Sequence, residues 1–156
     1  MTISGLGRVA EASGGCENVG MFESPALLFV YGTLRPVLAR GRSGRLISGL
    51  RNGGTATAKG VLYDLGSHPG MVSGDGIVQG DLLEVVTAAQ LAAFDAYEAC
   101  GGPEPLYVRE RTAVVQADGR EVCAWVYLYA RPITTARLIP GGDYAADLLA
   151  RGRLGE

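Results

Sequence analysis

Leu91, Phe94, Asp95 and Glu98 recur at i, i+3, i+4 and i+7, the spacing that gathers four side chains on one face of a helix. Leucine and phenylalanine draw that face towards a core. Glu98 then stands at the end of an inward-looking stripe, where a carboxylate is costly without partners. Burial raises a carboxyl's pKa into the range that suits proton transfer near neutrality. Glu98 is therefore the candidate general acid/base. The same spacing also fits a frayed helix end with Glu98 in water. Asp95 poses the same choice, with a structural role the better reading.

A second feature is Tyr31-Gly32-Thr33-Leu34-Arg35. It follows Leu27-Leu28-Phe29-Val30, a bulky apolar run that reads as a buried strand. A strand running into Gly-Thr presents successive backbone N–H groups, which can hold a carboxylate or an oxyanion. Gly32 would let a ligand approach the backbone closely. As a bare pattern, a strand ending in glycine is common. Tyr107, Arg109 and Arg111 alternate on one later strand, and Tyr127 and Tyr129 on the next. Such tyrosines either orient a substrate through their hydroxyls or pack at a core edge. His68, the single histidine, precedes Pro69 in a loop and reads as a surface or packing residue. A Cys–His nucleophile would need Cys100 or Cys123 beside His68, and nothing in the sequence brings them together.

These residues need elements to position them. Thr57 to Leu65 and Ile77 to Val86 have strand character, with bends or bulges expected at Gly60 and Gly80. Residues 66–70 are a loop by composition. Residues 35–55 read as irregular, with one helical turn near Val37 to Arg40. Thr87 to Cys100 is the clearest helix. Thr87 and Gln90 have the capping-box spacing, the interior is rich in Ala and Leu, and Gly101-Gly102-Pro103 stops it. Leu106 to Ala117 and Glu121 to Ala130 form a hairpin through Asp118-Gly119. On the second of these strands, Val122, Ala124, Val126 and Leu128 share one face. Cys123, Trp125, Tyr127 and Tyr129 share the other, so both faces are expected to be covered. Asp143 to Arg151 reads as a short final helix. Strands dominate and one helix is inserted between them. The expected fold is α+β, a small mixed β-barrel with helices packed against it.

Residues 1–24 are rich in Gly and Ser and are expected to be a flexible tail, leaving one domain over residues 25–156. A length of 156 residues suits one domain with one sizeable core. The net charge is −2, and no Lys/Arg cluster is interleaved with aromatics, so nucleic-acid binding has little electrostatic support. Arg35, Arg40, Arg42 and Arg45 form the only basic stretch, read as a solvated loop. No apolar run approaches the roughly 20 residues of a membrane span. The N-terminus lacks the order of a signal peptide. Three cysteines without metal-ligand spacing fit a reduced, cytoplasmic protein.

The ordered set of motifs resembles the gamma-glutamylcyclotransferase-like family, which includes the AIG2-like and gamma-glutamylamine cyclotransferase proteins. The motifs are YGTLR (Tyr31 to Arg35), GVLYDLG-x-x-PG (Gly60 to Gly70), FDAYE (Phe94 to Glu98), Y-x-R (Tyr107 to Arg109), AWVYLY (Ala124 to Tyr129) and Gly142-Asp143-Tyr144. The resemblance covers roughly residues 26–147. It implies a compact barrel and a small-molecule gamma-glutamyl substrate whose α-amine attacks its own γ-carbonyl, giving 5-oxoproline and a free amine. It implies Glu98 as the catalytic carboxylate, the loop Tyr31, Gly32, Thr33 and Leu34 as the holder of the glutamyl head, and Tyr107 and Tyr127 as pocket-facing residues. No metal or organic cofactor is implied. The family often has glycine after the catalytic Glu, where this chain has Ala99, and an aromatic where it has His68. Two other readings use the same pocket. One is a different acyl-transfer or lyase reaction on a gamma-glutamyl-like metabolite. The other is a non-catalytic module that binds a metabolite or a protein.

Overall fold

A strand as uniformly apolar as Leu27 to Val30 is stable only when both of its faces are covered. The computed structural model, which describes residue 16, residues 22–100 and residues 102–152, covers both. Strand β1 (Ala26–Val30) lies between β3 (Pro69–Val85), antiparallel, and β5 (Glu121–Tyr129), parallel. Strand β5 pairs with β4 (Tyr107–Gln116), and β4 with β2 (Arg51–Asp64). Pairing of β2 with β3 closes the ring, so five strands form a closed mixed barrel. A two-residue strand, β6 (Arg137–Leu138), is added beside β2.

The two faces of β1, β3, β4 and β5 serve two cores, while β2 contributes to the inner one. Phe29, Leu62, Met71, Val78, Leu82, Val114 and Val126 fill the barrel together with Tyr144 of the last helix. Leu28, Val30, Leu83 and Val85 point outward and pack under helix α2 (Ala88–Tyr97), meeting Leu91 and Phe94. The two faces expected for β5 divide in this way, Ala124 and Val126 inward and Tyr127 outward, with Trp125 packed against the outer core. Each of these large apolar side chains contributes about 1.5–3 kcal/mol on burial.

Local chemistry accounts for most boundaries. The β4–β5 hairpin turns at Asp118-Gly119, with Gly119 at φ 89°. Gly60 marks a register shift between Lys59 and Val61, as the strand pattern predicts. Gly80 does not mark one: the ladder runs unbroken from Ala56–Gly80 to Thr57–Gln79. Its glycine is needed because an added Cβ would press on the Val30 carbonyl and lie 2.7 Å from the Phe29 ring.

Three expectations are corrected. The turn expected near Val37 forms, with Leu38 and Ala39 N–H groups both donating to Arg35 O. It is followed, however, by helix α1 (Gly41–Ile47), where Arg42 and Arg45 lie, and Arg35 is buried and paired with Asp81 and Asp143, so only Arg40 of the basic stretch keeps the expected exposed, non-helical place. Gly41 and Gly44 lower helix propensity and hide it. Packing of Leu46, Ile47 and Leu50 against the outer core supplies what propensity lacks. Second, strands β2 and β3 extend well beyond their apolar segments. Third, the cysteines are not all reduced: Cys16 and Cys123 form a disulfide across 107 residues of sequence, and Cys100 is free. Most of the expected tail over residues 1–24 lies outside the described residues.

Helix α3 (Tyr144–Ala150) is the last element among the described residues. Asp143 caps it by accepting from Ala146 N–H at 3.0 Å. Arg137 and Arg151 both pair with Asp64 and Asp147, tying α3 and β6 to β2. Among the described residues no helix is long and apolar enough to cross a membrane.

Candidate active site

Helix α2 is defined at both ends by side chains and backbone that the sequence names. Thr87 Oγ1 accepts from Gln90 N–H at 3.1 Å, and Gln90 Oε1 accepts from Thr87 N–H at 3.1 Å. This is the capping box read from the spacing. At the other end Cys100 N–H donates to Asp95 O at 3.0 Å and Ala99 N–H to Ala96 O at 3.2 Å. That pair of bonds is a Schellman motif, with Ala99 in the position that demands a left-handed backbone. Ala99 has φ 54° and is the only non-glycine residue with positive φ among those described. The glycine that the resembled family often carries here has a physical reason, and alanine bears strain instead. Ala99→Gly is expected to stabilise the fold by about 0.5–1 kcal/mol, net of glycine's greater unfolded freedom. The check is a higher urea midpoint at unchanged m-value.

The motif leaves Glu98 as the C-cap residue of α2, one step beyond the last helical residue, with φ −89° and ψ 7°. Its side chain is partly buried and lines a pocket. Burial raises its carboxyl from an ordinary 4.5 to about 7. The frayed, fully solvated alternative does not hold. Asp95, one turn earlier, is structural: Arg109 Nε donates to its Oδ1 at 2.7 Å and the Tyr127 hydroxyl donates to the same atom at 2.8 Å. These bonds fasten α2 to β4 and β5 just before Glu98.

Strand β1 delivers the second wall. Beyond Tyr31 the chain turns, closed by Arg35 N–H donating to Gly32 O at 3.0 Å. A Cβ on Gly32 would lie 2.8 Å from Pro69 Cγ, so only glycine lets this turn sit against the start of β3. Arg35 anchors the turn from below. Its guanidinium donates to Asp81 Oδ2 at 2.8 Å and to Asp143 Oδ1 at 3.2 Å, and both Arg35 and Asp81 are buried.

Three tyrosines lock the walls together. Tyr31 Oη donates to Tyr127 O and accepts from Met71 N–H at 3.2 Å. Tyr107 Oη donates to Pro69 O at 2.7 Å. Each hydroxyl proton is committed to the protein, so towards a ligand these groups offer ring faces and remaining oxygen lone pairs. Burial holds all three hydroxyls above the ordinary phenol range. The Glu98 charge adds to the shift at Tyr31 and Tyr107, which places both within electrostatic reach of that carboxylate.

The cavity enclosed has a volume of about 260 Å³. That is small beside ligand clefts of roughly 300–1,000 Å³ and suits an amino-acid-sized group. Tyr31, Gly32, Thr33, Leu34, Glu98, Tyr107 and Tyr127, all singled out from sequence, line it together. Sequence reasoning missed Ser67, His68 and Tyr97, which also line it. His68 stands 6.1 Å from Tyr107, ring centre to ring centre, and burial lowers its pKa despite the opposing charge of Asp64. Only its place beside Pro69 in the GVLYDLG-x-x-PG segment could have signalled it. Tyr97 Oη lies 3.0 Å from Thr33 Oγ1, joining the end of α2 to the turn. The structure does not support a Cys–His nucleophile: Cys123 is in a disulfide, and Cys100, whose thiol burial pushes up to about 11, does not line the pocket that His68 lines. Among the described residues no group of three or more His, Cys, Asp or Glu could hold a metal ion.

The profile of a family described as "Gamma-glutamyl cyclotransferase, AIG2-like" matches residues 28–146. The Escherichia coli K12 protein "Gamma-glutamylcyclotransferase family protein YtfP" is 33% identical over 117 residues, covering 75% of this chain and 94% of the relative. The solution NMR structure of ytfP from Escherichia coli superposes with a TM-score of 0.55 at 34% identity, over 76% of this chain and 95% of that one. The crystal structure of YkqA from Bacillus subtilis superposes with a TM-score of 0.64 at 23% identity, over 82% of this chain and 42% of that one, a likeness of fold.

Proposed function

Because this chain belongs to the gamma-glutamyl cyclotransferase, AIG2-like family, we propose that it converts a small gamma-glutamyl compound into 5-oxoproline and a free amine. The observation that carries the reading is one raised-pKa carboxyl, Glu98, on the same pocket wall system as the Gly32–Leu34 turn. The turn's backbone N–H groups hold the glutamyl head and face the γ-carbonyl oxygen as negative charge develops there. Nucleophile and electrophile belong to one molecule, so the pocket's main task is to impose a folded conformation on it.

Glu98 as carboxylate takes a proton from the α-ammonium group. The freed amine attacks the γ-carbonyl carbon and the C–N bond to the leaving group breaks. In sum two protons pass from the α-nitrogen to the leaving nitrogen. The lactam keeps one N–H, the amine departs as an ammonium, and Glu98 is regenerated as carboxylate. The steps as written call on no metal or organic cofactor.

Two tests follow from this assignment. Incubation with a panel of gamma-glutamyl compounds is expected to release 5-oxoproline; tight binding with no product would favour a binding module instead. Because Glu98 must begin ionised, kcat/KM is expected to fall towards tenfold per pH unit on the acid side of a limb near pH 7. A limb near 4.5, the ordinary carboxyl value, would assign the acid/base role elsewhere.

A further inference from the structure

Arg42 of α1 has no part in the proposed chemistry, yet it touches a wall of the pocket. The Arg42 guanidinium carbon lies 5.0 Å from the centre of the Tyr97 ring, and Tyr97 is itself a wall of the pocket. Arg42 is exposed, and the ion pairs of the described residues assign it no carboxylate. No Asp or Glu occurs anywhere between Glu23 and Asp64, so the local excess of positive charge is not balanced in sequence. The residues lining the pocket include no Lys or Arg. His68, the one other basic group there, is driven towards its neutral form by burial.

Stacking on Tyr97 uses the face of the guanidinium and restrains it at the rim. A guanidinium held over a ring keeps its N–H donors for other partners, in the fork that matches a carboxylate. We infer that Arg42 determines specificity by binding a carboxylate on the leaving amine, so that gamma-glutamyl amino acids or peptides are preferred over gamma-glutamyl derivatives of simple alkylamines. This rests on the cyclotransferase reading above. The glutamyl head occupies the turn and Glu98; the leaving group extends past Tyr97 to Arg42.

A matched pair of substrates tests it. Gamma-glutamyl-alanine and gamma-glutamyl-ethylamide share the scissile amide and differ by one carboxylate. Wild type is expected to favour the alanine compound by about tenfold in kcat/KM, chiefly through KM, as one charge-assisted contact provides. Added salt should narrow the gap. In Arg42→Gln the preference should collapse to about one, while Arg42→Lys, which keeps the charge without the fork, should retain part of it. An equal loss on both substrates in Arg42→Gln, or a wild type that turns over both equally well, would overturn the role of Arg42 and leave the cyclotransferase reading standing. Absence of 5-oxoproline from both substrates with wild type would instead overturn that reading, and this inference with it.

Discussion

Glu98→Gln is expected to fold and to lose turnover by about 10²- to 10⁴-fold, the contribution of one positioned general acid/base. Glutamine keeps the size and polarity of the side chain but cannot exchange a proton, so binding of the glutamyl head should change far less than kcat. The same variant carries a second signature. Burial raises the folded carboxyl from 4.5 to about 7, so the unfolded chain loses its proton first. Below the lower value both states are neutral there, and no cost arises. Above the higher value both are ionised, and the folded state bears the cost of a buried charge. Wild-type stability should therefore fall by up to about 3 kcal/mol as pH rises from about 4.5 to about 7. Glu98→Gln should lack that fall, matching wild type at pH 4 and exceeding it at pH 8. Urea unfolding at several pH values reads the difference. A variant that retains activity would remove Glu98 from the chemistry. A variant that is inactive but equally pH-dependent in stability would mean that the carboxyl is not buried as described.

The second large effect concerns stability. Arg35→Met removes the partner of Asp81, and a buried carboxylate left without its cation costs about 3–5 kcal/mol. Asp81 is only 7% exposed and so has little recourse to water. The other acceptor, Asp143, is less enclosed and continues to cap α3. Replacing both members, as Arg35→Met with Asp81→Leu, should recover most of the loss, because no unpaired charge remains. Denaturant midpoints of the single and double variants measure this. A single-variant loss below about 1 kcal/mol, the size of an exposed pair, would mean that water screens the interaction. Since Arg35 closes the Gly32–Arg35 turn, turnover should fall in the single variant even where it remains folded.

How far the sequence reveals these parts depends on whether the cause is local. Thr87 and Gln90 sit three residues apart and fix the start of α2 wherever the rest of the chain lies. Asp118-Gly119 fixes a hairpin in the same way. The Leu91–Phe94–Glu98 stripe predicts a buried acid because helix period alone brings those residues to one face. The pairing of β2 with β4 and the parallel contact of β1 with β5 are not local, and follow only in part from alternation. Helix α1 was hidden because Gly41 and Gly44 argue against it, while Leu46, Ile47 and Leu50 argue for it only once the outer core exists. His68 and Tyr97 were missed as pocket walls because neither spacing nor polarity sets them apart; the register of β2 on β3 and the end of α2 bring them in. The Cys16–Cys123 disulfide was illegible for the same reason, its partners being brought together by the fold.

Direct titration of the Glu98 carboxyl tests the central claim most sharply. Carbon-detected NMR on protein labelled at the glutamate δ-carbon, with Glu98→Gln as the assignment control, reads it in the free protein. The expected result is a midpoint of about 7 that coincides with the acid limb of kcat/KM for 5-oxoproline release. A midpoint near 4.5, or one that does not track the kinetic limb, would contradict the assignment of this carboxyl as the acid/base of a lactam-forming site.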